Sequence, residues 1–377
     1  MGDMMSYLDW RGDLSFEQSP FNEVDNLILS QLAYVELDGI IPPVGSRRRV
    51  TVAQACEVFF RHHTEEEILA SKSFIHMSPF ILKKMAQTER FKLAKLYNYV
   101  NDIDPQKQIQ FAAFHVALAD GTVYVAFRGT DDTIVGWQED FNMSFKTVPA
   151  QTASVEYLEA TIKGRRKNYI LGGHSKGGNL AIYAASMSSR RVQNRIAIVY
   201  NNDGPGFTKE ILAVPGYLAM AERVRSFSPE HSVIGRLLEH DGEFTIVASS
   251  AKGILQHDAM TWEVLGNHFV YRDAFTKQSD MLDDTLKKWL SNLNDQQKEE
   301  FVDNLFSIMG ANGAETITDI ANSGIKKLGI ILKSFGGVDD ATKDVITTLI
   351  KLMTTEYHKE YVQPLLEKII PAKKGNS

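Results

Sequence analysis

The sequence predicts an α/β fold with a mostly parallel sheet covered by helices on both faces. Strand-like and helix-like segments alternate between residues 106 and 275, which is the pattern of parallel strands joined by crossover helices. A short apolar strand runs directly into a glycine turn and an Ala-rich helix at residues 167–186. Hydrophobic residues make up 44% of the 377-residue chain. That composition suffices for the core of one large domain with helical additions.

The sequence pattern divides the chain into three regions. Residues 1–105 are predicted to form a mainly helical region packed on the sheet, with an amphipathic helix over 21–33 and a capped helix start at 64–69. Residues 106–275 form the α/β core. Residues 276–377 are predicted to be a C-terminal helical extension, because strand signals stop there and leucines recur at helical spacing.

The glycine turn carries the first candidate for chemistry. It contains Ser175 in a Gly-x-Ser-x-Gly pattern, preceded by the apolar residues 169–171 and followed by a helix-like segment. This strand, turn and helix form the nucleophile elbow of an α/β-hydrolase. Gly173 and Gly177 fit that geometry, because side chains there would collide with the neighbouring strand and helix. Ser175 is therefore the candidate nucleophile.

A second segment ends in a candidate oxyanion-binding turn. The dipeptide at 120–121 separates two runs rich in β-branched and aromatic residues, 110–118 and 122–127, and so predicts a hairpin. The second strand leads into a turn that contains Thr130. We expect the N–H or hydroxyl of Thr130, together with the backbone N–H of Lys176, to stabilise an oxyanion beside the elbow.

These residues carry a resemblance to a known family. The sequence Phe-Arg-Gly-Thr at 127–130, with Trp137 and Asp140 downstream, and the elbow sequence at 173–181 resemble the class 3, fungal-type lipases. The segments 8–16 and 21–29 are similar to an uncharacterised bacterial family of lipase-like proteins in that superfamily. The resemblance implies an α/β-hydrolase fold and ester hydrolysis.

The chain departs from the lipase pattern at one position of the elbow. Lys176 follows the nucleophile where many lipases carry leucine. We expect this lysine to make the lip of the site more polar. A purely triglyceride substrate fits such a lip less well.

The catalytic base is expected after Ser175, since α/β-hydrolases order their residues as serine, acid and histidine. His257 is the candidate base, because it lies in a late loop after the strand-like segment 243–248 and a glycine turn. His268 and His240 are the alternatives.

Two carboxylates are candidates for the acid. Asp203 follows the strand-like segment 194–200, at the end of the sheet where open α/β folds build their sites. The resemblance to class 3 lipases places the acid one strand later, and the aligned position there holds Ser232. Glu230 in the same loop is therefore the alternative acid. We favour Asp203.

Composition and the remaining motifs narrow the class of protein. A net charge of −6 provides no general attraction to nucleic acid. Cys56 is the single cysteine and the start of the chain has no apolar signal segment, so we expect a cytoplasmic protein. We expect no metal and no cofactor. The segment 325–333 joins an apolar face to three lysines and predicts either a lid with peripheral membrane contact or a core or oligomer contact.

The sequence thus predicts a serine hydrolase that cleaves carboxylic esters, with a small-molecule acyl ester or lipid-like substrate and a role in lipid metabolism. One alternative is a catalytically inactive lipase-like scaffold that binds an acyl chain or a protein partner. Another is a thioesterase or peptidase that uses the same three residues, because fold and triad do not determine the scissile bond.

Overall fold

The computed structural model describes residues 2–303, except for short stretches at 71–76, 105, 108, 131–133, 144, 165–167, 241, 292, 295 and 301. Most of the predicted C-terminal extension, including the segment 325–333, lies outside the described residues.

The described helices and strands alternate through the central part of the chain. The helices are α1 Met4–Arg11, α2 Glu23–Leu32, α3 Val52–His62, α4 Glu65–Ala70, α5 Ser78–Met85, α6 Ile134–Asn142, α7 Pro149–Thr161, α8 Lys176–Met187, α9 Arg190–Gln193, α10 Lys209–Leu212, α11 Pro215–Met220 and α12 Lys277–Ser291. The strands are β1 Val50–Thr51, β2 Lys95–Asp104, β3 Ile109–Ala117, β4 Val123–Phe127, β5 Tyr169–His174, β6 Ile196–Asn202, β7 Val224–Pro229, β8 Phe244–Val247, β9 Val264–Leu265, β10 His268–Phe269 and β11 Tyr271–Arg272.

The central sheet has a parallel middle and antiparallel edges. Its nine strands follow the order β1-β2-β3-β4-β5-β6-β7-β8-β11. Strands β4 to β8 are parallel to one another, whereas β1 to β3 and β11 pair antiparallel. The predicted α/β class and the predicted hairpin between β3 and β4 are confirmed.

The strand order explains how the two faces of the sheet are covered. Strands β4 to β8 lie side by side in the order in which they occur in the chain. Because crossovers between parallel strands are right-handed, the helices that connect such strands all lie on the same face of the sheet. Accordingly, α7, α8 and α11 pack together on that face. The opposite face is covered by the N-terminal helices α1, α2, α3 and α5. Strand β4 separates the two cores, with Val125 in one and Tyr124 in the other.

The N-terminal region agrees with the prediction in its helices but not in its strands. The predicted helix over 21–33 is α2, which begins with a capping box between Asn22 and Asp25. The predicted helix start at Thr64 is also capped, through reciprocal hydrogen bonds with Glu67. The sequence analysis missed β1 and β2, which belong to the central sheet. An irregularity between Tyr97 and Val100 interrupts the pairing of β2 and weakens its sequence signal.

Candidate active site

The residues predicted to act in chemistry lie at one edge of the sheet. Thr130 follows β4, Ser175 follows β5, Asp203 follows β6 and His257 follows β8. The carboxyl ends of parallel strands meet at this edge, which is where open α/β folds place their ligands. Four segments that are distant in sequence therefore converge.

The backbone at Ser175 has the strained conformation of a nucleophile elbow. Its φ of 56° and ψ of −132° are unusual for a residue with a side chain, and such strain persists only where the surrounding structure enforces it. The two flanking glycines permit the close approach. A Cβ on Gly173 would lie 2.3 Å from the Gly177 carbonyl carbon, and a Cβ on Gly177 would lie 2.2 Å from the Phe127 carbonyl oxygen. The elbow helix thus touches the turn that leads to Thr130.

Three side chains form a continuous hydrogen-bonded chain. The Nδ1 atom of His257 is 2.6 Å from an oxygen of Asp203, and its Nε2 atom is 3.0 Å from the Ser175 hydroxyl. A carboxylate only accepts, so Nδ1 carries the proton when the imidazole is neutral and Nε2 accepts from the serine. The structure therefore brings Ser175, His257 and Asp203 together in the order that nucleophilic catalysis requires.

The carboxylate of Asp203 is buried and held by hydroxyl groups. One of its oxygens accepts hydrogen bonds from Ser228 and, at 2.6 Å, from Ser232. Burial opposes ionisation, but the hydrogen bond from His257 and those from the two serines hold the pKa of Asp203 below its usual value. Ser232, at the position where the lipase resemblance led us to expect an acid, thus supports the carboxylate from the loop that follows the neighbouring strand β7. Sequence reasoning did not foresee this role.

The alternative residues contact other partners. The Glu230 carboxylate is 3.6 Å from the Arg272 guanidinium. The Nδ1 atom of His268 is 2.8 Å from the carbonyl oxygen of Phe269. His240 packs edge-on against Phe244, and burial lowers its pKa to about 4.

A histidine that the sequence analysis did not select supports the candidate base, His257. His174, buried beside Ser175, places Nε2 at 2.8 Å from the carbonyl oxygen of His257. Since a carbonyl only accepts, Nε2 donates, and Nδ1 accepts from the Tyr34 hydroxyl at 3.0 Å. Burial, and then the neighbouring His257 imidazole, lower the pKa of His174 to about 3. His174 is therefore neutral, and it links Tyr34, which follows α2, to the loop that carries the candidate base.

The expectation that Lys176 makes the lip of the site polar is wrong. Its side chain is 0% exposed, and its ammonium lies 2.9 Å from the Glu139 carboxylate and 3.3 Å from the Gln110 amide oxygen. Glu139 also accepts from the backbone N–H groups of Ala150 and Gln110. Lysine can be buried here because α6 supplies a buried carboxylate as its partner, and its charge is not exposed at the surface of the site.

Thr130 is buried and bonded to a carboxylate of α6. Its hydroxyl donates to Asp140 at 2.6 Å. Burial raises the pKa of Asp140 to about 7, although the Lys176 ammonium and the Thr130 hydrogen bond act in the opposite direction. The Thr130 hydroxyl is thus occupied by its hydrogen bond with Asp140, which leaves the Thr130 N–H as the donor to consider at the site.

Two features are absent from the described part of the chain, a cluster of metal ligands and a membrane-spanning helix. Within these ranges, no three His, Cys, Asp or Glu side chains are grouped so as to hold a metal ion. Helices long and apolar enough to cross a membrane are likewise absent from the described residues.

Comparisons with known proteins give the family. None of the curated proteins compared with the chain matches it. Among solved structures, the crystal structure of M37 lipase is similar at 15% identity and a TM-score of 0.31, over 56% of this chain and 68% of that one. A family model described as Mbeg1-like matches residues 85–307, more than half of the sequence. The lipase-like resemblance is thereby confirmed, and the chain belongs to the Mbeg1-like family of lipase-like proteins.

Proposed function

We propose that this protein is a serine hydrolase of the α/β-hydrolase type that cleaves carboxylic esters with acyl or lipid-like substrates. The observation that carries the proposal is the hydrogen-bonded chain from Asp203 through His257 to Ser175. A buried carboxylate, an imidazole and a hydroxyl in this order activate a weak nucleophile. Membership of a lipase-like family supports the same class of reaction.

Each of the three residues has a distinct role in the proposed reaction. Ser175 Oγ attacks the ester carbonyl while His257 Nε2 takes the hydroxyl proton. The resulting imidazolium returns that proton to the leaving alcohol, and an acyl-enzyme remains on Ser175. Water then attacks the acyl carbonyl while His257 Nε2 takes a proton from it, and the imidazolium returns that proton to Ser175 Oγ as the acyl–oxygen bond breaks and the carboxylic acid leaves. Asp203 holds His257 in the Nδ1–H tautomer, and the low pKa of Asp203 keeps the carboxylate charged opposite the imidazolium.

Backbone N–H groups stabilise the negative charge of the tetrahedral intermediate. Lys176 is the first residue of α8, and the first N–H groups of a helix have no partner within that helix. Its N–H and that of Thr130 are our proposed oxyanion donors, each contributing about 3 kcal/mol to transition-state stabilisation.

Hydrolysis of short chromogenic esters tests the proposal. Wild-type protein should hydrolyse p-nitrophenyl butanoate, and Ser175→Ala should lose at least about 10³-fold in kcat/KM. Ser250→Ala changes an exposed serine and serves as the matched control with unchanged rate. A butanoyl thioester assayed in parallel distinguishes an esterase from a thioesterase. Equal rates for wild type and Ser175→Ala on all these substrates would contradict the proposal.

A further inference from the structure

The start of α12 holds the loop that follows β7. Thr276, which directly precedes α12, donates its backbone N–H to the carbonyl oxygen of Glu230 at 2.7 Å. Its hydroxyl is 2.9 Å from Nδ1 of His231. The hydroxyl of Ser279 donates to the carbonyl oxygen of Ser232. Three consecutive residues of the loop are therefore each bonded to the start of one helix.

The contact between Ser279 and Ser232 is buried. Both residues are 1% exposed, and the backbone N–H of Ser279 is bonded to the Thr276 hydroxyl. Further along the same loop, the Arg236 guanidinium lies 2.8 Å from the carboxylate of Asp283, whose side chain is 7% exposed. The loop is thus fixed to α12 at more than one point and away from water.

The same loop holds the proposed acid. The hydroxyl of Ser232 donates to one oxygen of Asp203 at 2.6 Å, and the other oxygen of Asp203 lies 2.6 Å from Nδ1 of His257. A continuous series of contacts therefore runs from Ser279 to the Ser175 hydroxyl. Its first link passes through the backbone of Ser232, so the position of the Ser232 hydroxyl depends on the hydrogen bond from α12.

The loop also contacts the segment that carries the proposed base. The backbone N–H of His231 donates to the side-chain oxygen of Gln256 at 2.8 Å, and Gln256 directly precedes His257. The acid and the base thus share one support. Catalytic groups must be held closely in their productive geometry, and small displacements cost rate.

We propose that Ser279 is a positioning residue for Asp203, which makes α12 a working part of the active site. The inference rests on the proposed hydrolase function and deepens it. Without the Ser279 hydroxyl the loop relaxes, and Asp203 loses part of its hydrogen bond from Ser232. The carboxylate then aligns less well with the imidazolium of His257. Because that imidazolium forms only during the reaction, the loss falls on kcat and not on KM.

Hydrolysis of p-nitrophenyl butanoate by the full chain tests the inference. Ser279→Ala should lower kcat by roughly 2- to 10-fold, the range of one hydrogen bond, with KM little changed. Ser232→Ala should lower kcat by a similar factor. The double variant Ser279→Ala/Ser232→Ala should lose no more than Ser232→Ala alone, because Ser279 acts through the Ser232 hydroxyl. Gln278→Ala, at an exposed residue beside Ser279, is the matched control and should keep the wild-type kcat.

The pH profile supplies a readout that a purely structural role would not change. The hydrogen bond from Ser232 helps to lower the pKa of Asp203, so its weakening raises the proton affinity of the Asp203–His257 pair. Ser279→Ala should therefore move the acid limb of the kcat/KM profile to higher pH, as Ser232→Ala should, whereas Gln278→Ala should not. The other titratable groups whose charges act on this pair stay the same in these variants, among them His174, His240 and Asp140.

The outcomes are distinguishable. A folded Ser279→Ala protein with the wild-type kcat and pH profile, or losses that add in the double variant, overturns the inference while ester hydrolysis itself stands. If Ser279→Ala does not fold, Thr276 provides the test. Thr276→Val removes the hydroxyl that accepts the Ser279 N–H and should lower kcat, whereas Thr276→Ser should not, and equal kcat values in the two overturn the inference. Failure of wild type to hydrolyse the ester overturns the proposed function and the inference together.

Discussion

Replacing Lys176 with leucine, the residue that many lipases carry here, should destabilise this protein strongly. The substitution leaves the Glu139 carboxylate, whose side chain is 1% exposed, without its ammonium partner. Removing one member of a buried ion pair costs about 3–5 kcal/mol. Two backbone N–H groups still bond to Glu139, so we expect a value near the lower end, about 3 kcal/mol. In a chain of 377 residues that lowers Tm by roughly 4 °C.

Thermal unfolding followed by circular dichroism measures this loss. The double variant Lys176→Leu/Glu139→Gln removes both charges and should recover part of the lost Tm. Lys252→Leu, at an exposed lysine, is the control and should shift Tm little, because exposed substitutions change stability by about 0.5 kcal/mol or less. A Lys176→Leu protein as stable as this control would refute the buried ion pair with Glu139 and would indicate that the side chain of Lys176 lies at the surface of the site.

Three further predictions concern the carboxylates and the histidine support. Asp203→Asn should lower kcat by about 10⁴-fold through the wrong histidine tautomer, whereas Glu230→Gln should leave it nearly unchanged; steady-state kinetics giving the reverse ranking would move the acid to Glu230. His174→Leu should lower kcat with little change in KM, and His174→Gln, whose amide can both donate and accept, should restore much of it; equal kcat values for the two variants would deny the positioning role. Asp140→Asn should reduce the pH dependence of the free energy of unfolding. A carboxyl whose pKa is raised to about 7 in the folded protein contributes stability that is lost as pH rises from about 4 to 7. Urea titrations in which the free energy of unfolding changes with pH equally in wild type and variant would contradict this prediction.

The elements that position the site are local and so were predictable from sequence. The elbow at Ser175 combines a strand, a glycine turn and a helix within 20 residues, and the hairpin before Thr130 depends on one Asp-Gly turn. Strand β6 was predicted too, and with it the position of Asp203 at the carboxyl end of the sheet. These features depend on neighbouring residues, which a sequence pattern records.

The features that were missed depend on contacts between distant segments. Lys176 was assigned to the surface because its partner Glu139 lies 37 residues away on α6. The link from Tyr34 to His174 spans 140 residues and has no local signature. Strand β2 was missed because its Asn and Asp residues are rare in strands and its pairing is irregular.

The choice between the two candidate acids illustrates what spacing along the sequence cannot decide. Asp203 and Glu230 both follow parallel strands at the same edge of the sheet, so spacing alone left both open. Packing separates them, since the carboxylate of Asp203 lies against His257 and Ser232, whereas Glu230 lies beside Arg272.

Covalent labelling of Ser175 tests the central claim most directly. A fluorophosphonate probe reacts with a serine that an adjacent base activates, and the mass of the intact protein reports the adduct. We predict one phosphonyl adduct on wild type, located at Ser175 by peptide mapping, and no adduct on Ser175→Ala. Folded wild-type protein that stays unmodified, or an adduct that persists in Ser175→Ala, would contradict the account.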